Sequence, residues 1–499
     1  MQESQTEVLI IGGGPTGLFT AAELARHGVR ARIIDQCPQP HTQTRATGVQ
    51  PAALEILARA GCAEPFLAEG ERVAGLRVWN AALEEAFVFR APPPDTPYPA
   101  TCSMPQWRTE QILNAHLESF GVRVERGVTA CEITPLPEGA RVRCEGSDGS
   151  SFIIETDYLI GAGGAHSPVR GAIHQRLEGI TYPRQFLAAD ARVDLPRGNE
   201  LLNMIFSPAG LLMVAELPQG RNLLVLDLPD GHKLSSPGAA DLEQALANHL
   251  SAPLPVEDVR WVACYKTHRR MSPKFREGRC FLAGDAAHLC SPFGGEGMNS
   301  GLLDGASLAW QLASVLRRGG LPSLLDAYEP ERREAADQVL ASSEAMSDFY
   351  YFLVDRVREG LPLEPSQPDP GHKGASTHML DVVITSSPLL GTHGQGEASG
   401  EVRPGTRFPD RTKLTGCLHH LLVFGGHLTG PAFAHRWRNV LEVVDGESIC
   451  SPERAGLSSP AGCALVRPDG YLGFSAAGDT GQSIAALDDF LRSQFAAQD

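Results

Sequence analysis

The apolar and polar positions fall into blocks with different periods. Val8 to Ile11 is an unbroken apolar run, the pattern of a strand buried on both faces. After a glycine-rich turn, Leu18, Ala21, Ala22, Leu24 and Ala25 recur at helical spacing until Gly28. "VRARIID" predicts a second strand, ending in Asp35. Far downstream, "GRCFLAGDAAHLCSPFGGEGMNSG" again runs from a buried strand into glycines. The pattern "GLLDGASLAWQLASVLRRGG" then predicts a long amphipathic helix after Asn299, closed by Gly319-Gly320. "LLDAYEPERREAADQVL" predicts a second helix with charges on its outer face. From about 180 to 265, short apolar runs broken by "SPAG" and "PQG" predict an antiparallel sheet. Residues 360–400 are rich in Pro, Gly, His and Ser and read as a partly mobile connector. Strands in "LHHLLVFGG", "NVLEVVDG" and "GCALVRPDGYLGF" follow, with Asp469-Gly470 at a hairpin turn, and then a final helix in "IAALDDFLRSQF".

At 499 residues the chain is too long for one core, so two or three domains are expected. Hydrophobic content of 42% and charged content of 20% are ordinary for a globular protein. A net charge of -16 argues against nucleic-acid and anionic-membrane partners, which need basic surface. The eleven Cys form no CxxC pair, which reads as reduced thiols. The first apolar run lacks a basic lead and is too short for a signal peptide or a membrane span, so the expected location is the cytoplasm. No HExxH or Cys/His cluster suggests a metal, and no G-x-S-x-G suggests a hydrolase nucleophile.

The candidate chemistry begins in the first turn. Gly12, Gly14 and Gly17 form G-x-G-x-x-G between strand and helix, with an acid, Asp35, closing the next strand. Gly12 permits the tight turn, Gly14 lets backbone approach a pyrophosphate, and Gly17 brings helix near strand. The helix N-terminus offers free N–H groups to phosphate, and Asp35 can accept from a ribose. This is a dinucleotide-binding unit, and alone it does not separate NAD from FAD. The second glycine-rich turn does, through Asp285. A ribityl chain carries hydroxyls that a carboxylate can bind, and a wide flat ring calls for backbone without side chains, as at Gly294, Gly295 and Gly297.

With these motifs in order, nearly the whole chain resembles the FAD-dependent aromatic hydroxylases, the single-component flavoprotein monooxygenases. The branch it resembles hydroxylates aromatic polyketides and related antibiotics. The resemblance implies FAD contacts at Gly12, Gly14, Thr16, Gly17 and Asp35. It adds Arg45 in "RATGVQPAALEIL", Gln106 in "PQWRTEQILNAHL" and Val128 in "GVRVERGVTA". In the second motif it implies Asp285 on the ribityl chain, Pro292 to Gly295 along the ring, and Met298 and Asn299 by backbone at the pyrimidine edge. His288 belongs to the scaffold of that motif. Two positions depart from the family. Gly163, in "DYLIGAGGAHSPVR", stands where an Asp is thought to link FAD to the nicotinamide donor, and Thr47 replaces an Asp of the phenol branch.

The fold implied is α/β. A discontinuous Rossmann-type FAD-binding domain spans 1–180 and 265–345, and an antiparallel-sheet substrate domain spans 181–264. A helical and linker segment (346–400) precedes a C-terminal thioredoxin-like domain (401–499) without CxxC, expected to serve packing or a homodimer contact. The sheet is expected to roof a cavity over the flavin, with Met204, Phe206, Leu212, Met213 and Val214 as candidate linings and Phe293 beside them. The implied activity is hydroxylation of an aromatic, polycyclic substrate with FAD, O2 and NADPH or NADH, through a flavin hydroperoxide. No catalytic side chain is assigned, because the hard chemistry belongs to the cofactor. A Baeyer–Villiger-type oxygenase, a flavin oxidase and a non-catalytic ligand-sequestering flavoprotein remain alternatives on the same scaffold.

Overall fold

The computed structural model describes residues 2–40, 42, 46–90, 92–195, 200–229, 234, 236–364, 378–394, 402–425 and 431–496. The α/β architecture expected from the sequence is present. The first sheet has eight strands, in the order Arg276–Glu277, Cys280–Leu282, Ser151–Gly161, Gln2–Ile11, Ala31–Asp35 and Val124–Arg126. The hairpin Val128–Leu136 and Gly139–Gly146 joins through Ser151–Gly161. Its centre is parallel, and Val8, Leu9 and Ile10 are fully buried, as a doubly covered strand requires. The first strand starts earlier than its apolar run, because Gln2 to Thr6 keep pairing with Phe152 to Thr156.

Helix Pro15–Arg26 packs on helix Gly297–Arg317. Small residues set the approach. A Cβ at Gly301 would lie 2.2 Å from Thr16 Oγ1, and one at Gly305 would lie 2.5 Å from Thr20 Oγ1. The Gly297–Arg317 helix is buried without interruption from Asn299 to Ser314, so it is not the two-faced helix its sequence suggests. It is sandwiched between the first sheet's helices and the C-terminal unit, so even Asp304 and Gln311 are enclosed. The next helix, Tyr328–Arg358, has 31 residues and runs well past 345 to reach the second sheet.

That second sheet also has eight strands, ordered His288–Leu289, Val256–Met271, Glu178–Val193, Arg221–Asp227, Gly210–Leu217, Leu202–Ser207, Leu76–Trp79 and Glu85–Phe89. Its last two strands come from the stretch that the sequence places with the nucleotide-binding domain. They are recruited by parallel pairing of Leu76 to Trp79 with Leu202 to Ile205, a long-range contact with no local signature. One face of the sheet is covered by helix Ala239–His249, with Leu242 and Leu246 against Leu212, Val214 and Leu224. The other face looks toward the Tyr328–Arg358 helix.

A five-stranded C-terminal sheet runs Gly391–His393, Leu472–Ala477, Gly462–Val466, His419–Phe424 and Leu441–Asp445. Its first βαβ step is parallel, through helix Pro431–Arg436, and the Gly462–Val466 and Leu472–Ala477 hairpin turns through Gly470 at φ +83. The connector read from 360–400 falls partly on 365–377 and 395–400, which lie outside the described residues. The unit is fixed to the body by buried charge. Arg467 donates to both oxygens of Glu331 at 2.7 Å, and Asp469 accepts from Trp310 Nε1 at 2.8 Å.

Asp304 is the buried hub of the body. Its Oδ2 accepts from Gly284 N at 2.9 Å and from His288 Nε2 at 2.8 Å, and its Oδ1 accepts from Arg332 Nε at 2.7 Å. Burial pushes its carboxyl up, but His288 and Arg332 outweigh that and hold it at about 2, against an ordinary 3.8. A depressed carboxyl stabilises the fold above its unfolded pKa, and this contribution is lost as pH falls from about 4 to about 2. Asp304→Asn should therefore lower stability at neutral pH by about 3 kcal/mol, leaving Arg332 buried without its countercharge. It should also flatten the acid limb of the stability curve in that window. Urea unfolding at neutral and acid pH checks both.

Candidate functional site

Gly12 leaves the first strand at φ +120, where a Cβ would lie 2.3 Å from Ala162 O, and a Cβ on Gly17 would lie 1.9 Å from Gly12 O. Both glycines are demanded by packing. Gly14 is different. It caps the helix in extended backbone, and a Cβ there would meet nothing within 4 Å, because the space before it is open. Asp35 closes the second strand. Its Oδ2 accepts from Gly13 N at 2.5 Å and its Oδ1 from Cys37 N at 2.7 Å, which locks the glycine turn to the strand end. Gln106 heads helix Gln106–Ser119, with Nε2 donating to Glu110 Oε1 at 2.9 Å, and Val128 begins its own strand.

The second turn sits opposite. Strand Cys280–Leu282 ends in the 3-10 turn Gly284–Ala286, which leaves Asp285 exposed into the cleft. Arg170 ties this turn to Gly164–His166, donating to Ala286 O at 3.1 Å and Ala165 O at 2.6 Å. The Pro292–Gly294 turn is braced from behind. Gln50 Nε2 donates to Gly294 O at 2.9 Å, and Asn299 Nδ2 donates to Gly295 O at 2.7 Å and Gly48 O at 2.8 Å. Asn299 Oδ1 accepts from Gln50 N at 2.8 Å.

These walls enclose one continuous cavity of about 1460 Å3. Gly12, Gly14, Thr16, Asp35, Gln106 and Val128 line one end, and Asp285, Pro292, Phe293, Gly295 and Met298 line its middle. Gly17 and Asn299 are not on the wall. The first is consumed by packing and the second is fully buried as a brace. Arg45 lies outside the described residues. Gly163 is on the wall at φ -80, and an added Cβ would meet its nearest neighbours, Ile11 O and Pro168 Cδ, at 3.5 Å, an ordinary contact, so the missing Asp is not excluded by geometry. Thr47 is on the wall too.

The far end is an apolar chamber. Met204, Phe206 and Met213 line it from the second sheet, and Met204 pairs directly with Met213. Leu212 and Val214 do not line it. Side chains alternate along a strand, so with Met213 facing the chamber its neighbours face the Ala239–His249 helix. Phe293 is packed edge-on by Phe186 at 5.5 Å, Tyr350 at 5.6 Å and Tyr351 at 6.0 Å. The wall also takes Met346, Phe349, Tyr350 and Leu353 from the long helix, which were not singled out from the sequence. The only signal for them was apolar spacing beyond 345. Gln50 and Glu296, which lie inside the quoted motifs, and Tyr265 on the second sheet also line the cavity and were not singled out, because nothing local shows which polar residue of a motif is turned inward. Burial pushes the phenols of Tyr265 and Tyr350 up, so both stay neutral.

The residues fit a flavin dinucleotide on two observations. The open side of Gly14 leaves room for a pyrophosphate at a helix N-terminus, and side-chain-free backbone at Gly294 and Gly295 borders the same cavity. Among the described residues, no His, Cys, Asp or Glu group could hold a metal, and no helix is long and apolar enough to cross a membrane.

Comparison with known proteins agrees with this geometry. A family model described as an FAD binding domain matches residues 5–343. A 6-methylpretetramide 4-monooxygenase of Streptomyces rimosus is 31% identical, over 93% of this chain and 90% of its own. A 12-dehydrotetracycline 5-monooxygenase/anhydrotetracycline 6-monooxygenase of the same species is 30% identical, over 98% of both chains. Among solved structures, an anhydrotetracycline hydroxylase from Streptomyces rimosus superposes with a TM-score of 0.80 at 27% identity, covering 99% of each chain. A flavin-dependent monooxygenase solved with FAD and substrate shares the fold at a TM-score of 0.83 and 22% identity, again over 99% of each. With the family model spanning most of its length and relatives aligned nearly end to end, the chain belongs to the FAD-binding-domain family of aromatic monooxygenases.

Proposed function

We propose that this chain hydroxylates a polycyclic aromatic compound, using bound FAD, O2 and NADH or NADPH. The observation that carries the reading is the single cavity that joins Gly14 and Asp35 at one end to an apolar, aromatic-lined chamber at the other. A polycyclic substrate suits both the apolar, aromatic lining of that chamber and the tetracycline-type substrates in the names of the relatives.

The residues divide the work. The turn at Gly14 and the N-terminus of helix Pro15–Arg26 would hold the pyrophosphate, and Asp35 the adenosine ribose. Gln106 and Val128 flank that end, and Asp285 would take the ribityl hydroxyls. Pro292 to Gly295 and Met298 would lie along the ring. FAD, when bound, takes electrons from the nicotinamide donor and activates O2. The protein's part is to hold the acceptor carbon near Pro292 and Phe293 and to keep water out. Met204, Phe206, Met213 and the aromatic cluster around Phe293 do this without a charged group among them. The N-terminus of helix Gly297–Arg317 points its free N–H groups to the same region and favours negative charge there. The C-terminal βαβ–ββα unit carries no CxxC, and we assign it a packing role as a thioredoxin-like domain.

The purified chain should be yellow, and a screen of polycyclic aromatic compounds should find some that speed NAD(P)H consumption with a product heavier by one oxygen. A colourless chain that cannot be loaded with FAD would end this reading. The two glycines of the first turn should separate. Gly14→Val should leave the thermal midpoint of the FAD-free protein unchanged while weakening FAD binding at least about tenfold, through lost room at the pyrophosphate. Gly17→Val should instead destabilise the FAD-free fold itself, because its side chain meets the Gly12 carbonyl. Gly163→Asp should fit without strain and speed flavin reduction by NAD(P)H in stopped-flow. An unchanged rate would show that this carboxylate is dispensable here.

A further inference from the structure

Glu296 is 2% exposed, yet it forms part of the cavity wall. It immediately precedes the Gly297–Arg317 helix, between the ring-side turn and the helix end. Oε1 accepts a hydrogen bond from Ser342 Oγ at 3.1 Å. Among the described residues, Oε2 has no hydrogen-bond partner, and no Lys, Arg or His pairs with this carboxyl. An ionised carboxylate in that position would be desolvated and half satisfied, whereas a protonated one is neutral and presents a donor.

The titratable neighbours agree. From the 378–381 segment, Asp381 is exposed at the surface, and its charge acts both on Glu296 and on His378, a second residue of the wall. Burial keeps the His378 imidazole down and the Cys290 thiol up, so both are neutral. Asp285 acts on Cys290 from the adjoining turn, and helix Tyr328–Arg358 presents the Ser342 hydroxyl. Burial is the main cause that pushes the Glu296 carboxyl up, to about 8, against the opposing Ser342 bond and with help from Asp381.

We propose that Glu296 is the proton-carrying group of the reaction chamber, giving its proton to the cavity and regaining one from solvent on the Asp381 side. This rests on the monooxygenase reading above. That reaction is RH + O2 + NAD(P)H + H+ → ROH + H2O + NAD(P)+. A ring C–H bond and the O–O bond break, a C–O bond forms, the nicotinamide is oxidised, and one proton from outside ends in water. Met204, Phe206, Met213 and Phe349 carry no acidic proton, and Asp348, on the same wall, is exposed. Among the described residues, Glu296 is the buried carboxyl on that wall with one oxygen uncommitted, the kind of group that can hold and release a proton there.

The test uses FAD-loaded protein and infrared spectroscopy. A protonated-carboxyl band, shifted in D2O, should fade as pH rises through about 8 and be missing from Glu296→Gln. Asp381→Asn, which removes a neighbouring negative charge, should move the midpoint of that band to lower pH. Glu296→Gln should slow product formation at least about 100-fold with FAD affinity within about threefold of wild type, and Glu296→Asp should recover part of the rate. No such band in wild type, a midpoint unmoved by Asp381→Asn, or a wild-type product rate in Glu296→Gln would each overturn the proposal. If Glu296→Gln does not load FAD, the wild-type band and its response to Asp381→Asn decide alone. Failure of every aromatic compound to speed NAD(P)H oxidation, in protein that shows the band, would instead overturn the monooxygenase reading and with it this use of the proton.

Discussion

A single buried carboxylate organises the body of this protein. Asp304 reaches from the middle of the Gly297–Arg317 helix to the backbone of Gly284, to His288, and to Arg332 on the next helix. It ties the Asp285 turn, which also packs at Gly284 against Gly301, to the helix whose N-terminus faces the same cavity. The charge is costly to bury, and that is why it is specific. Only a geometry that supplies Gly284 N, His288 and Arg332 together makes it favourable.

A second chain of contacts runs from the C-terminal unit into the site. Arg407 and Arg411 pair with Glu55 on helix Pro51–Ala60, and Arg59 of the same helix donates to the carbonyls of Arg411 and Leu414. The residue before that helix is Gln50, which holds Gly294 O and meets Asn299. The C-terminal unit therefore bears on the ring-side turn through one short helix. Arg467, clasped by Glu331 and Asp469, fixes the same unit to the long helix that supplies Tyr350 and Leu353 to the chamber.

The chamber owes its shape to a sheet with two apolar faces. One face closes a private core under helix Ala239–His249, and the other is left to the cavity. Two strands are added from Leu76–Trp79 and Glu85–Phe89, so the wall is built from three distant parts of the chain. The Tyr328–Arg358 helix completes it, and Phe293 is wedged by aromatic rings from the sheet and from that helix.

Much of this was legible in the residues themselves. Strand, G-x-G-x-x-G, helix and Asp35 obey local rules, because a turn that passes within contact of Ala162 O admits only glycine at position 12. Backbone without side chains beside an acid was enough to mark the Asp285 turn. The spacing of the motif also separated Gly14, which faces open space, from Gly17, which is consumed by packing. The sequence could not set the phase of the Gly210–Leu217 strand, where Leu212 and Met213 are equally apolar and only the sheet's partners decide which faces the cavity. It gave no sign that Leu76–Trp79 would pair with Leu202–Ser207, or that Glu296 would be buried with one oxygen uncommitted. Local sterics and periodicity act between near neighbours and can be read along the chain, whereas facing, burial and electrostatic company are set by segments far apart, which meet only in the folded molecule.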